Sequence, residues 1–98
     1  MIINKKSEDE KLTLIISGRL DTNSSPKLET ELRQSVGGIK ELVFDFSEVE
    51  YISSAGLRVL LAAQKVMNRQ GSMKLIGVSS EVMEVFEITG FSDILTIE

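Results

Sequence analysis

Residues 39–61 read IKELVFDFSEVEYISSAGLRVLL, and the apolar pattern changes within this stretch. Ile39 to Phe46 is a nearly continuous apolar run of strand length, which is typical of a central strand that is covered on both faces. From Leu57 onward the apolar residues recur at helical spacing until Gly71. The helical face consists of Leu57, Leu60, Leu61 and Gln64, widened by Val59, Ala63, Val66 and Met67. The pattern predicts a buried strand, a loop at residues 47–57 and a long helix.

Upstream of this stretch, the chain has the pattern of two strands and a helix. Residues 11–20, KLTLIISGRL, partly alternate, as expected for a strand with one face more buried than the other, and residues 2–7 are suited to pair with it. In the polar break that follows, Ser25 is a good helix cap and Pro26 suits the first helical position. The predicted helix has Leu28, Leu32 and Val36 spaced by four and ends at Gly37-Gly38.

Downstream, the pattern continues as strand, helix and strand. Met73 to Val78 is a short apolar strand, and Ser79 or Ser80 can cap a helix that ends at Gly90. Ile94 to Ile97 is predicted to form a last edge strand. The chain is therefore expected to be an α/β protein of order β-β-α-β-α-β-α-β, with helices packed on a mixed sheet of about five strands.

Composition narrows the function classes. The 98 residues, 42% of them hydrophobic, are expected to form one domain over residues 1–98. A net charge of -4 disfavours binding to nucleic acid or to an anionic membrane surface. The absence of cysteine and histidine excludes a thiol nucleophile, a Ser-His-Asp triad and an ordinary zinc site. No segment resembles a signal peptide or a membrane span, so a cytoplasmic protein without membrane insertion is expected.

The start of the long helix is the best candidate site. Ser53 or Ser54 is expected at its cap or first position, where unpaired amides and the helix dipole favour an anion such as phosphate. Ala55 and Gly56 have minimal side chains, which would let another molecule approach closely. From the residues alone, an ordinary helix cap and tight packing against the sheet are the favoured explanation of these residues.

A family resemblance favours the functional interpretation. DFSEVEYISSAGLRVLL at 45–61 resembles the signature of the STAS domain of bacterial anti-sigma factor antagonists. GRLD at 18–21 is similar to the Gly-x-Leu-Asp of that family, and GSMKLIGVSSEVMEVFEITGF at 71–91 resembles its next strand-helix-Gly unit. The resemblance covers nearly the whole chain and implies a single STAS-like domain.

The resemblance also implies roles for individual residues. Ser54 falls on the family's phosphorylated serine, and Asp21 falls on the acidic residue that supports its phosphorylation. Many members have aspartate directly before that serine, where this chain has Ser53, so Ser53 remains an alternative acceptor. The expected partner-binding residues are Ser53, Ala55, Gly56, Leu57 and Arg58, with Val59 and Met67 as further candidates if exposed.

The implied function is a phosphorylation-switched binding module. The unmodified surface would bind an anti-sigma factor that is also a serine-protein kinase, and a phosphoserine phosphatase would reverse the modification. The domain would be a monomer when free, hold no cofactor and not itself be an enzyme. Two alternatives are a scaffold subunit of a larger signalling or transport complex and an enzyme that uses Asp21 and the helix start. The enzyme is disfavoured because no P-loop pattern or catalytic base accompanies them.

Overall fold

The fold is a mixed four-stranded sheet with three helices. In the computed structural model, which describes residues 1–98, the strands are β1 (Ile2–Glu8), β2 (Lys11–Leu20), β3 (Glu41–Ile52) and β4 (Ser72–Ile76), arranged in the order β1-β2-β3-β4. β1 runs antiparallel to β2, whereas β2, β3 and β4 are parallel. The helices are α1 (Ser25–Ser35), α2 (Ser54–Gln70) and α3 (Ser80–Thr89), followed by a 3-10 turn at Phe91–Asp93. The predicted α/β class and mixed sheet are confirmed.

The predicted last strand is reduced to a single bridge. Ile97 pairs in parallel with Leu75 of β4, whose N–H donates to the Thr96 carbonyl and whose carbonyl accepts from the Glu98 N–H, both at 2.9 Å. The 3-10 turn occupies the chain just before this segment, and only the final residues lie beside β4. The sheet therefore has four strands, not about five.

One hydrophobic core holds the helices on the sheet. Buried residues of all three helices form a single cluster with alternate strand residues such as Leu12, Leu14 and Phe44. Val43 is also buried, but it lies outside this cluster and is flanked in register by Thr13 and Lys74. β3 is therefore buried on both faces at this point, as the apolar run predicts. Neighbouring strands shield Val43 at the centre of the sheet, whereas the helices pack on the opposite face.

The helices begin and end at the predicted cap and stop residues, with one correction. Ser24, not Ser25, precedes α1, and Ser25 is its first residue, with its hydroxyl donating to the Asp21 carbonyl at 2.5 Å. At α3, the Ser79 hydroxyl accepts from the Val82 N–H at 3.2 Å. The predicted stop at Gly90 has φ +82°, a left-handed conformation that glycine adopts without steric cost.

Gly56 sets how closely α2 approaches the sheet. A Cβ atom at this position would lie 2.8 Å from both Leu20 Cγ and Ile52 Cγ1, and 3.0 Å from the Leu20 carbonyl oxygen. Leu20 and Ile52 are the last residues of β2 and β3 and are themselves buried. The glycine therefore allows the first turn of α2 to rest directly on the ends of two adjacent strands.

Replacing Gly56 by alanine tests this contact. Helix propensity alone would favour alanine by about 1 kcal/mol. We nevertheless expect Gly56→Ala to lower the free energy of unfolding by roughly 1–3 kcal/mol, because the added methyl group overpacks a rigid contact. Urea denaturation measures the change. Gly37→Ala is the control, since a Cβ at that position meets nothing within 4 Å. A Gly56→Ala protein at least as stable as the wild type would contradict the packing account.

Candidate functional site

The parallel pairing of β2 and β3 brings the two predicted segments together. Leu20 and Ile52 pair at the carboxyl ends of these strands, and the Ser53 N–H donates to the Leu20 carbonyl at 2.9 Å. Asp21 directly follows β2, and Ser53 directly follows β3. They leave the same edge of the sheet side by side, so the loop after β2 adjoins the start of α2.

The two serines at this position have different environments. Ser53 is the N-cap of α2, and its half-buried side chain accepts a hydrogen bond from the Gly56 N–H at 3.4 Å. Ser54 is the first residue of the helix; its side chain is exposed and makes no hydrogen bond within the protein. The expectation that the pair would supply the cap and the first helical residue is confirmed. One hydroxyl stabilises the helix, and the other is free.

Asp21 organises the turn that leads into α1. Its Oδ1 accepts from the N–H groups of Asn23 and Ser24, both at 3.0 Å, and its Oδ2 lies 3.7 Å from Arg19 Nε. The pKa of the Asp21 carboxyl is lowered from its ordinary value of 3.8, first because the Ser24 N–H donates to it. Desolvation opposes this effect, whereas the Ser24 hydroxyl, the Asn23 N–H and Arg19 add to it.

The folded state therefore favours the ionised form of the Asp21 carboxyl. A lowered pKa means that its contribution to stability is present above the unfolded value and is lost as the pH falls through the folded value. At neutral pH the carboxylate is charged and held by local hydrogen bonds. This is the turn role that the residue type alone suggests.

A shallow depression of about 370 Å³ lies beside the first turns of α2. It is lined by Thr22, Ser25, Pro26 and Glu29 on one side and by Ala55, Arg58 and Val59 of α2 on the other. A more apolar depression of about 290 Å³ continues between α1 and α2 and shares Glu29 and Val59 with the first. The start of α2 therefore opens onto a trough between two helices.

Fewer of the predicted partner-binding residues are accessible at the surface than the sequence suggested. Gly56 is buried, and Leu57 is only 6% exposed, so both residues pack inside the domain. Val59 and Met67 are buried as well. Met67 is fully enclosed in the core, whereas the small exposed part of Val59 borders the trough between α1 and α2. Ser54 and Arg58 are exposed, and Ser53 and Ala55 are partly so.

Some lining residues were missed from the sequence. Thr22, Pro26 and Glu29 come from the loop after β2 and from α1, and nothing in their local pattern points to a site. The signal that was available is positional, because the carboxyl ends of adjacent parallel strands meet at one edge of a sheet. Arg19 also stacks on Tyr51 at this edge, with its guanidinium carbon 4.2 Å from the ring centroid.

The arrangement offers a hydroxyl, a helix N-terminus and a guanidinium at the surface. Nowhere in the chain do three or more histidine, cysteine, aspartate or glutamate side chains come together in a way that suits a metal ion. None of the helices has both the length and the apolar character that crossing a membrane requires. An exposed hydroxyl is a group that can accept a phosphate, and an exposed guanidinium is a group that can pair with a carboxylate or a phosphate.

Comparison with known proteins identifies the family. The family model described as the STAS domain matches residues 2–98. The chain belongs to the STAS domain family. An anti-sigma-B factor antagonist of Listeria monocytogenes serovar 1/2a is 35% identical to this STAS domain over 98 residues, covering 96% of the chain and 84% of the relative. The anti-sigma-B factor antagonist of Bacillus subtilis (strain 168) is 30% identical to it over 96 residues, and the match covers 97% of this chain and 88% of that relative.

A solved structure confirms the fold. The Bacillus cell fate determinant SpoIIAA in its phosphorylated form superposes on this STAS domain with a TM-score of 0.77. The match covers 99% of the chain and 91% of SpoIIAA at 15% sequence identity. The resemblance seen in the sequence is thus confirmed for the family and for the architecture.

The different environments of the two serines predict different effects on stability. Ser53→Ala removes the cap of α2 and is expected to lower the free energy of unfolding by about 1 kcal/mol. Ser54→Ala removes a hydroxyl without a partner and should change stability by less than about 0.5 kcal/mol. Thermal or urea unfolding of the two variants gives the comparison. Equal losses in both, or a larger loss for Ser54→Ala, would show that the hydroxyls are assigned the wrong way round.

Proposed function

We propose that this STAS domain is an anti-sigma factor antagonist and that it binds an anti-sigma factor through the surface around Ser54. The observation that carries the proposal is an exposed, unpaired hydroxyl on the first residue of α2, in a chain whose relatives are named anti-sigma-B factor antagonists. The contact surface consists of Ser54, Ala55 and Arg58 with the adjoining trough. This antagonist acts in the cytoplasm and catalyses no reaction itself.

The partner is proposed to be a serine kinase that phosphorylates Ser54. A kinase must bring the acceptor hydroxyl into line with the transferred phosphoryl group, which requires an accessible oxygen. Ser54 meets this requirement, whereas the hydroxyl of Ser53 is half-buried and engaged with the Gly56 N–H. Both the local geometry and the resemblance to the family's signature, in which Ser54 falls on the phosphorylated serine, therefore favour Ser54 over Ser53.

Phosphorylation is proposed to block binding without unfolding the domain. A phosphate adds about -1.5 to -2 charges at neutral pH. On the first residue of a helix that charge lies near unpaired N–H groups and the positive end of the helix dipole, so the fold tolerates it. At the surface it adds bulk and charge where the partner must approach. A phosphoserine phosphatase would restore the binding form.

Asp21 is proposed to support the switch through its position. Its hydrogen bonds to Asn23 and Ser24 hold the loop after β2 beside the start of α2. The loop continues into Thr22 and Pro26, which line the same depression as Ala55 and Arg58. Holding this turn in one conformation would keep one wall of the kinase-binding surface in place.

Phosphorylation in vitro tests the proposal. The protein is incubated with ATP and a candidate serine kinase encoded beside it, and the modified residue is mapped by mass spectrometry. We expect one phosphate on Ser54, complete loss of labelling in Ser54→Ala, and retained labelling in the matched Ser53→Ala variant.

Three outcomes would argue against parts of this proposal. Loss of labelling in Ser53→Ala but not in Ser54→Ala would move the acceptor to Ser53. A partner that binds but never phosphorylates the domain would favour a scaffold role. Turnover of ATP by the domain alone would favour an enzyme.

A further inference from the structure

Arg58 lies one helical turn beyond Ser54. The two residues are four apart on α2, which places their Cβ atoms about 5–6 Å from each other on the helix surface. Both side chains are exposed. A residue at the first position and a cation at i+4 thus share one strip of the helix, and the flexible arginine stem can reach a group carried by the serine.

Arg58 has no ionic partner in the domain, although acidic residues are near. Glu29 lines the same depression as Arg58, but its carboxylate is paired with Arg33 at 3.2 Å. Asp21, in the loop after β2, is paired with Arg19 at 3.7 Å and accepts hydrogen bonds from its own turn. The guanidinium of Arg58 is therefore a free donor beside Ser54.

We propose that Arg58 switches partners when Ser54 is phosphorylated. In the unmodified domain its guanidinium binds an acidic group of the anti-sigma factor; after phosphorylation the same guanidinium binds the phosphate on Ser54. This inference rests on the proposed function, since it concerns the regulation of the same site. Guanidinium suits both roles because its planar donors form paired hydrogen bonds with carboxylates and with phosphates.

If Arg58 changes partners in this way, phosphorylation weakens binding by more than charge repulsion alone. Phosphorylation removes from the interface a cation that the partner used, in addition to placing a negative group there. Because Arg58 neutralises part of the phosphate charge, it also limits the cost of holding that charge near Asp21 and Glu29. The chain offers a matched control in Lys65, an exposed cation further along α2 that lies 11 positions from Ser54, roughly 16 Å along the helix and out of reach.

The phosphate contact can be tested without any kinase. Phosphoserine is installed at position 54 during synthesis, and the phosphate is titrated by 31P NMR in the otherwise wild-type protein and in Arg58→Gln and Lys65→Gln. Arg58 favours the dianion, so its removal should raise the second pKa of the phosphate, ordinarily near 6, by roughly 0.3–0.7. Lys65→Gln removes the same charge and should leave the pKa unchanged. Identical titrations for wild type and Arg58→Gln, or equal shifts in both variants, would overturn the contact.

The partner contact is tested with the unmodified protein. Arg58→Gln should weaken binding to the anti-sigma factor by about tenfold, as expected for the loss of a charge-assisted hydrogen bond, and Lys65→Gln should bind as the wild type does. Wild-type affinity in Arg58→Gln would overturn the exchange even if the phosphate contact is found. The proposed function fails separately, when no kinase labels Ser54, and the NMR titration does not depend on that result.

Discussion

The site depends on the close approach of α2 to the ends of β2 and β3. Gly56 has no side chain to hold the helix away from Leu20 and Ile52, and the Ser53 N–H donates to the Leu20 carbonyl just before the helix begins. These contacts set where the helix starts relative to the sheet edge. They also place the loop after β2, with Asp21, against the first turn of α2. A larger residue at position 56 would move the helix start and both walls of the adjoining depression.

This packing divides the local residues into structural and accessible ones. Gly56 and Leu57 are used to bury the helix against the sheet, and Ser53 is used to cap it. Ser54 and Arg58 point away from these contacts and remain exposed. Under the proposed switch this separation matters, because a phosphate on Ser54 would leave the Ser53 cap and the core contacts intact. The same geometry puts the unpaired guanidinium of Arg58 one helical turn from the exposed hydroxyl of Ser54.

Much of the fold was predictable because its signals are local. The apolar run around Phe44, the helical spacing after Leu57 and the stop at Gly90 depend on neighbouring residues alone. The errors involve distant contacts. Leu57 was expected among the partner-binding residues but is buried, because a stripe of apolar residues does not reveal which of its members the sheet covers.

The candidate site, like the fold, was predictable from the sequence only where its signals are local. That a serine begins the long helix follows from local pattern, whereas the choice of Ser54 over Ser53 came from the family resemblance. The exposure of the two hydroxyls and the lack of an ion pair at Arg58 required coordinates, because exposure and ion pairing depend on the residues that pack beside α2. The sequence around Arg58 does not show that a nearby carboxylate, that of Glu29, is already paired with Arg33.

The most direct test of the central claim is the dissociation constant of the anti-sigma factor for the unmodified domain and for the domain that carries phosphoserine at position 54, measured by calorimetry on proteins with the same amide NMR fingerprint outside the start of α2. A phosphate at this surface places charge and bulk against the partner, so we expect the phosphorylated form to bind at least about 100-fold more weakly. Equal affinities for the two forms would contradict the account.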